Sequence, residues 1–172
     1  MDAFINTIKT LSRLFGVIAV LLLAAGMLVV CQQVFIRYVL NQSTVWQTDF
    51  VTYAIVASTF IGSPYVLLRR GHVNVDLLPL YLPHRARVVL ALVASAAALV
   101  FCLALAWTSI VLWHEAWAGD WRTPTVWALP LWIVYLPMAL GMGLLCLQYV
   151  ADILAVATGR DMPFGLQPGE RP

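Results

Sequence analysis

Four long apolar runs constrain this chain more than any other feature. Each has about the twenty residues that a helix needs to cross a bilayer core of about 30 Å. A segment of this length satisfies its backbone hydrogen bonds in lipid only as a helix. The sequence therefore predicts an all-α integral membrane protein with four transmembrane helices, at residues 14–36, 46–68, 88–113 and 127–150.

Composition excludes most other classes of protein. Hydrophobic residues make up 62% of the 172 residues and charged residues only 10%, whereas soluble domains have about 25% charged residues. The net charge of +2 is too small to indicate a nucleic-acid partner. We find no internal repeat, so residues 1–172 are predicted to form one domain with a flexible Gly- and Pro-rich tail at 159–172.

The distribution of Lys and Arg predicts the orientation in the membrane. Most basic residues flank one end of the predicted bundle: Lys9, Arg13, Arg69, Arg70, Arg85, Arg87, Arg160 and Arg171. Only Arg37 and Arg122 flank the opposite end. Because basic loops remain in the cytoplasm, both termini of this multi-pass protein are predicted to be cytoplasmic.

Two short amphipathic segments are predicted to lie at the membrane surface. In "LLRRGHVNVDLLPLYLPHRAR", Asp76 can cap a short helix through Leu82, which predicts a cytoplasmic elbow in the interface. On the other side, Trp113, Trp117 and Trp121 recur every four residues and form an aromatic stripe. The aromatic stripe predicts that this segment lies in the lipid interface. A docking surface for an extracytoplasmic protein, made by Trp117, Asp120, Trp121 and Arg122, is the alternative.

The sequence offers no constellation for catalysis, a metal or a cofactor. The three cysteines lie far apart in apolar runs, and His72, His84 and His114 all fall at span ends, which does not favour a haem held inside the bundle. Asp49 is the only acidic residue within a predicted span, about one turn from its end. We therefore expect neither an enzyme nor an independent ion path.

Small residues at four-residue spacing predict close helix packing. They form three stripes: Ala54, Ser58 and Gly62; Ala94, Ala98, Cys102 and Ala106; Ala139 and Gly143. Such stripes allow helices to approach closely in lipid. They can face one another inside the chain or face a larger partner, and the spacing does not decide between the two.

With these residues in view, the chain resembles the small, Q-type (DctQ-like) membrane subunit of tripartite ATP-independent periplasmic (TRAP) transporters. The residues that carry the resemblance follow one order along the chain: Phe35-Ile-Arg37-Tyr38, Asn41, Trp46-Gln-Thr-Asp49, Gly62, Gly71-His72-Val73-Asn-Val75-Asp76, and Thr123-Pro124 with Pro130. The family usually has Glu where this chain has Asp49, which shortens the reach of the carboxylate by one methylene.

The resemblance implies a scaffold for a large M-type transport subunit. In such systems a periplasmic solute-binding protein delivers an organic solute, commonly an anion, for sodium-coupled uptake. Membrane lipids are the other expected partner. The motif residues that the resemblance offers as subunit-interface candidates are Arg37, Asn41, Trp46, Asp49, Gly62, Gly71, His72, Val73, Asp76 and Pro130. The alternatives are a membrane anchor for a respiratory oxidoreductase and a free-standing four-helix channel or exporter.

Overall fold

A computed structural model describes residues 2–69 and 84–157 of the chain. Within these residues lie four helices: α1 (Asp2–Tyr38), α2 (Trp46–Leu68), α3 (His84–Ala118) and α4 (Leu131–Ala157). Each contains a stretch long and apolar enough to cross a bilayer. The prediction of an all-helical chain with four membrane-length helices is therefore confirmed.

The helix ends differ from the predicted spans. Helix α1 has 37 residues and begins well before the predicted span at 14–36, because residues 2–13 contain no Gly or Pro that would stop a helix. Helix α3 likewise extends beyond both ends of the predicted span at 88–113. A helix can continue into the interface on either side of the hydrocarbon core, so an apolar run underestimates its length.

The fourth helix starts later than the sequence indicates. The predicted span begins at Trp127, whereas α4 begins at Leu131. Residues 119–130 instead form a short connection, here called the outer hairpin, in which Arg122 pairs with Pro130 as an isolated antiparallel bridge. Helix α3 also ends before the last residue of the predicted aromatic stripe. Trp113 and Trp117 lie in α3, but Trp121 lies in the outer hairpin.

Helix α4 lies at the centre of the fold. It packs against α1, α2 and α3, while α1 packs chiefly against α2. The contact between α3 and α4 contains the larger apolar cluster, formed by Cys102, Ala106, Met142, Leu145 and Cys146. Large apolar side chains on α1 and α3 remain exposed, as expected of surfaces that meet lipid or another membrane protein.

Ile5 and Ile8 of α1 pack with Ala151 of α4 in a second cluster. This cluster holds the beginning of α1 against the last third of α4. The predicted elbow between the second and third spans, including Asp76 and Leu82, lies outside the described residues.

Candidate functional site

A buried chain of polar side chains joins α1 to α4. The Ser12 hydroxyl donates a hydrogen bond of 2.9 Å to Oε1 of Gln148, and Nε2 of Gln148 donates one of 2.9 Å to Oδ1 of Asp152. Both Ser12 and Gln148 have no exposed surface. A buried amide must have partners, so these bonds fix one register between the two helices.

Sequence reasoning did not identify Ser12 or Gln148. The two residues are 136 positions apart, so no local spacing connects them. The available signal was that Gln148 is the single amide side chain of α4, in which Asp152 is the single charged residue. A lone amide in a membrane helix needs a polar partner on a neighbouring helix.

Small residues bring α1 and α2 into close contact. A Cβ placed on Gly62 would lie 3.2 Å from the Ala19 side chain, and one placed on Gly26 would lie 3.8 Å from that of Ala54. Ala54 and Ser58 are buried. The stripe on the second span therefore faces α1 inside the chain, and this includes the motif residue Gly62.

The closest approach of two helices is between Gly141 of α4 and the backbone of Phe60 in α2. A Cβ on Gly141 would overlap the Phe60 carbonyl group. This carbonyl is unusual because Pro64, four residues later, has no N–H with which to bond it. The Ser63 hydroxyl donates to the same oxygen at 2.9 Å.

The turn between α1 and α2 contains the motif residue Asn41. Asn41 has φ of 51°, a left-handed conformation that Asn adopts more readily than most residues. Nε2 of Gln33 donates a 2.9 Å hydrogen bond to the Thr48 hydroxyl and thereby ties α1 to the first turn of α2. Within the described residues, no ion pair or hydrogen bond joins Arg37 to Asp49.

Aromatic contacts join the outer hairpin to α2 and join α3 to α4. Trp46, the first residue of α2, meets Trp127 of the hairpin with ring centroids 6.2 Å apart. Trp117 of α3 meets Trp132 of α4 edge-on at 4.8 Å, and it also contacts Trp113. Offset and edge-to-face contacts of this kind stabilise a fixed arrangement of rings. These Trp contacts hold the hairpin end of the bundle together.

The proposed docking residues lie near one another at this end. Arg122 forms an exposed ion pair of 3.4 Å with Asp120, and Trp117 and Trp121 are also exposed. Pro130 lies opposite Arg122 in the hairpin bridge. The remaining motif residues, Gly71, His72, Val73 and Asp76, lie outside the described residues.

Among the residues that the structure describes, the hairpin end has neither a metal-binding group nor a complete polar network. The described ranges, 2–69 and 84–157, contain no group of three His, Cys, Asp or Glu residues that could hold a metal ion. Two buried polar atoms there, Oε1 of Gln47 and Nε1 of Trp113, have no hydrogen-bond partner in this part of the chain. His114 is exposed near the end of α3.

Comparison with known families decides what this helical architecture represents. Residues 26–159 match the family model described as "Tripartite ATP-independent periplasmic transporters, DctQ component". The chain belongs to the DctQ family. The matched region runs from the last third of α1 past the end of α4, so it includes the outer hairpin, Gly141 and Gln148.

A curated DctQ relative agrees with this assignment. The chain is 26% identical over 148 residues to the C4-dicarboxylate TRAP transporter small permease protein DctQ of Vibrio cholerae serotype O1. The match covers 74% of this chain and 64% of the relative, so the chain spans somewhat less than two thirds of the relative's length. No solved structure matches the chain. The resemblance to TRAP small subunits that the sequence motifs indicated is confirmed.

Proposed function

We propose that this DctQ-family chain is a small permease subunit that scaffolds the large M-type subunit of a TRAP transporter in the bacterial inner membrane. The observation that carries the proposal is the absence of acidic and basic side chains from the central part of every membrane-length helix. Residues 14–36, 50–68, 92–113 and 131–151 contain no Asp, Glu, Lys or Arg. Ion and proton paths usually require such groups near the midplane.

The contacts inside the chain support a scaffold. At Gly62 and Gly141, α2 approaches its two neighbours too closely for large side chains, and the Ser12–Gln148–Asp152 chain fixes α1 against α4. Dense packing and a satisfied buried network favour one rigid arrangement. A rigid support is what a moving partner subunit requires, whereas a transport path through this chain would need a cavity or a second arrangement.

The transported solute is proposed to be an organic anion, taken up by coupling to an ion gradient. The named relative belongs to a C4-dicarboxylate transporter, which supports this solute class. In the proposed complex a periplasmic binding protein delivers the solute to the large subunit. No reaction is assigned to this chain, so the proposal describes a transporter subunit and not an enzyme.

We propose that both termini are cytoplasmic and that the outer hairpin is periplasmic. The support is the unequal distribution of basic residues at the two ends of the helices. In this orientation the exposed pair of Asp120 and Arg122, with Trp117 and Trp121, is available to the binding protein. The proposed contacts with the large subunit are the motif residues other than Gly62: Arg37, Asn41, Trp46, Asp49, Gly71, His72, Val73, Asp76 and Pro130.

Reconstituted transport tests this proposal. The large subunit and the binding protein encoded with this chain are placed in liposomes with and without the chain, and uptake of labelled dicarboxylates is measured under an imposed sodium gradient. We expect uptake only when all three proteins are present. Uptake by the chain alone would contradict the scaffold and indicate a free-standing channel. A visible haem spectrum of the purified chain would instead indicate an oxidoreductase anchor.

A further inference from the structure

The tip of the outer hairpin is apolar and exposed. Val126 is 86% exposed, and the adjacent Trp127 is 37% exposed. The tip sequence from Thr123 to Leu129, "TPTVWAL", contains no charged residue. A turn that projects into water normally carries polar residues, because exposing a large apolar side chain at a tip gains nothing for folding.

Part of the hairpin backbone is paired by hydrogen bonds within the hairpin. The N–H of Thr123 donates to the Leu129 carbonyl at 2.9 Å, and the N–H of Ala128 donates to the Thr125 carbonyl at 2.9 Å. The N–H of Leu129 donates to the Thr123 hydroxyl, also at 2.9 Å. Pairing of this kind lowers the number of backbone groups that a non-helical segment must leave to water or headgroups when it enters the interface.

The charges of the hairpin are separated from the tip. Asp120 and Arg122 pair with each other at 3.4 Å, and their side chains are 73% and 56% exposed. They lie next to the end of α3 and before the apolar tip begins. The hairpin thus has a charged base that favours water and an uncharged tip that does not.

The tip is continuous with the surface of the membrane helices. Trp127 packs against Trp46 at the first residue of α2, so the tip lies beside the end of a helix and does not extend away from the bundle. The membrane-length helix α2 begins beside it. Trp side chains favour this depth, where the ring contacts acyl chains and the indole N–H contacts headgroups.

We infer that the hairpin tip, with Val126 and Trp127, inserts into the lipid interface and contacts the boundary between headgroups and acyl chains. The charged base with Asp120 and Arg122 stays on the water side of this boundary. The hairpin is then a lipid anchor that fixes the depth and tilt of α2 and α4 in the bilayer. The inference depends on the chain being a membrane protein and not on the proposed transport function.

Accessibility of a nitroxide spin label tests this depth. Val126→Cys and the matched control Asp120→Cys are labelled in a full-length chain whose Cys31, Cys102 and Cys146 have been replaced by Ala. Each variant is placed in phosphatidylcholine and phosphatidylglycerol nanodiscs, both alone and in the complex with co-purified subunits. Relaxation by oxygen, which concentrates in lipid, is compared with relaxation by a water-soluble nickel chelate. Circular dichroism verifies that each variant is folded.

The two positions should behave oppositely. At position 126 we expect oxygen to relax the label several-fold more than the nickel chelate does, and at position 120 the reverse, with or without the other subunits. Equal access of the nickel chelate to both positions would overturn the inference, because the tip would then face water. Protection of position 126 from both reagents only in the complex would also overturn it, because a protein would then cover the tip.

A measurement without a label provides a second test. Lipids brominated near the headgroup quench Trp residues at that depth, and Trp127→Phe should lower the quenched fraction of the chain's fluorescence. His114→Ala, at an exposed position on α3 that carries no indole, is the control and should leave that fraction unchanged. A quenched fraction in Trp127→Phe equal to that of the parent chain would contradict the inference.

Discussion

Gly141→Ala should separate α2 from α4 and destabilise the chain, whereas Gly143→Ala should not. A Cβ at position 141 overlaps the Phe60 carbonyl, which is backbone and cannot rotate away, while a Cβ at position 143 meets no atom within 4 Å. The two glycines lie two residues apart in the same helix. Their replacement by Ala therefore changes helix propensity to a similar extent, by about 1 kcal/mol in favour of the helix in water.

The difference between the two variants isolates the steric effect. Forcing an extra methyl group into a packed contact typically costs about 1–3 kcal/mol, because the surrounding backbone must shift. The shift here would also disturb the carbonyl that Ser63 bonds in place of the N–H that Pro64 lacks. We therefore expect Gly141→Ala to be less stable than Gly143→Ala by about 1–3 kcal/mol.

Reversible unfolding in mixed micelles measures this difference. The purified chain is titrated with sodium dodecyl sulfate, and helix content and Trp fluorescence are followed together. Equal unfolding midpoints for the two variants would refute the close approach of α2 and α4 at Gly141. If Gly143→Ala is stable in isolation but weakens assembly, position 143 contacts a partner subunit, and the comparison within the isolated chain still holds.

Three further predictions concern other parts of the chain. Gln148→Leu removes the hydrogen bonds to Ser12 and Asp152 and should lower the free energy of unfolding by about 1–3 kcal/mol in the same titration. Ser12→Ala should lower it by about 0.6 kcal/mol. No change in Gln148→Leu would contradict a structural role for the polar chain. Asn41→Ala should cost about 1 kcal/mol because of its positive φ, whereas Asn41→Gly should be neutral, and equal losses would show that the side chain and not the backbone matters. His72→Ala should weaken recovery of the complex in pull-downs without changing which solutes are transported; altered solute preference with intact assembly would refute a structural role for His72.

The lengths of the four apolar runs predicted the four helices but not the residues at which the helices begin and end. Residues 2–13 continue α1 into a polar region that contains no helix-breaking residue. The apolar run therefore predicts the part of α1 that crosses the bilayer and not the full length of the helix. The start of α4 was misplaced for a different reason. The turn at Thr125–Ala128 uses a positive φ of 46° at Ala128, and Ala gives no sequence signal for this conformation, which Gly or Asn usually adopts.

The sequence predicted close contacts between helices only where small residues recur on one face of a helix. The spacing of Ala54, Ser58 and Gly62 predicted close packing, but only the structure shows that Gly62 faces Ala19 of the same chain. The Ser12–Gln148 bond joins residues that no periodic pattern connects. Pairings of this kind depend on how the helices are arranged in space, which the sequence does not encode locally.

The central claim is that this chain scaffolds a larger transport subunit, and its most direct test is the recovery of partners. The tagged chain is extracted gently from its native membrane, and the co-purifying proteins are identified by mass spectrometry. We predict recovery of a much larger polytopic membrane protein, with a periplasmic binding protein more loosely attached. Recovery of the chain alone, or together with a redox enzyme, would contradict the claim.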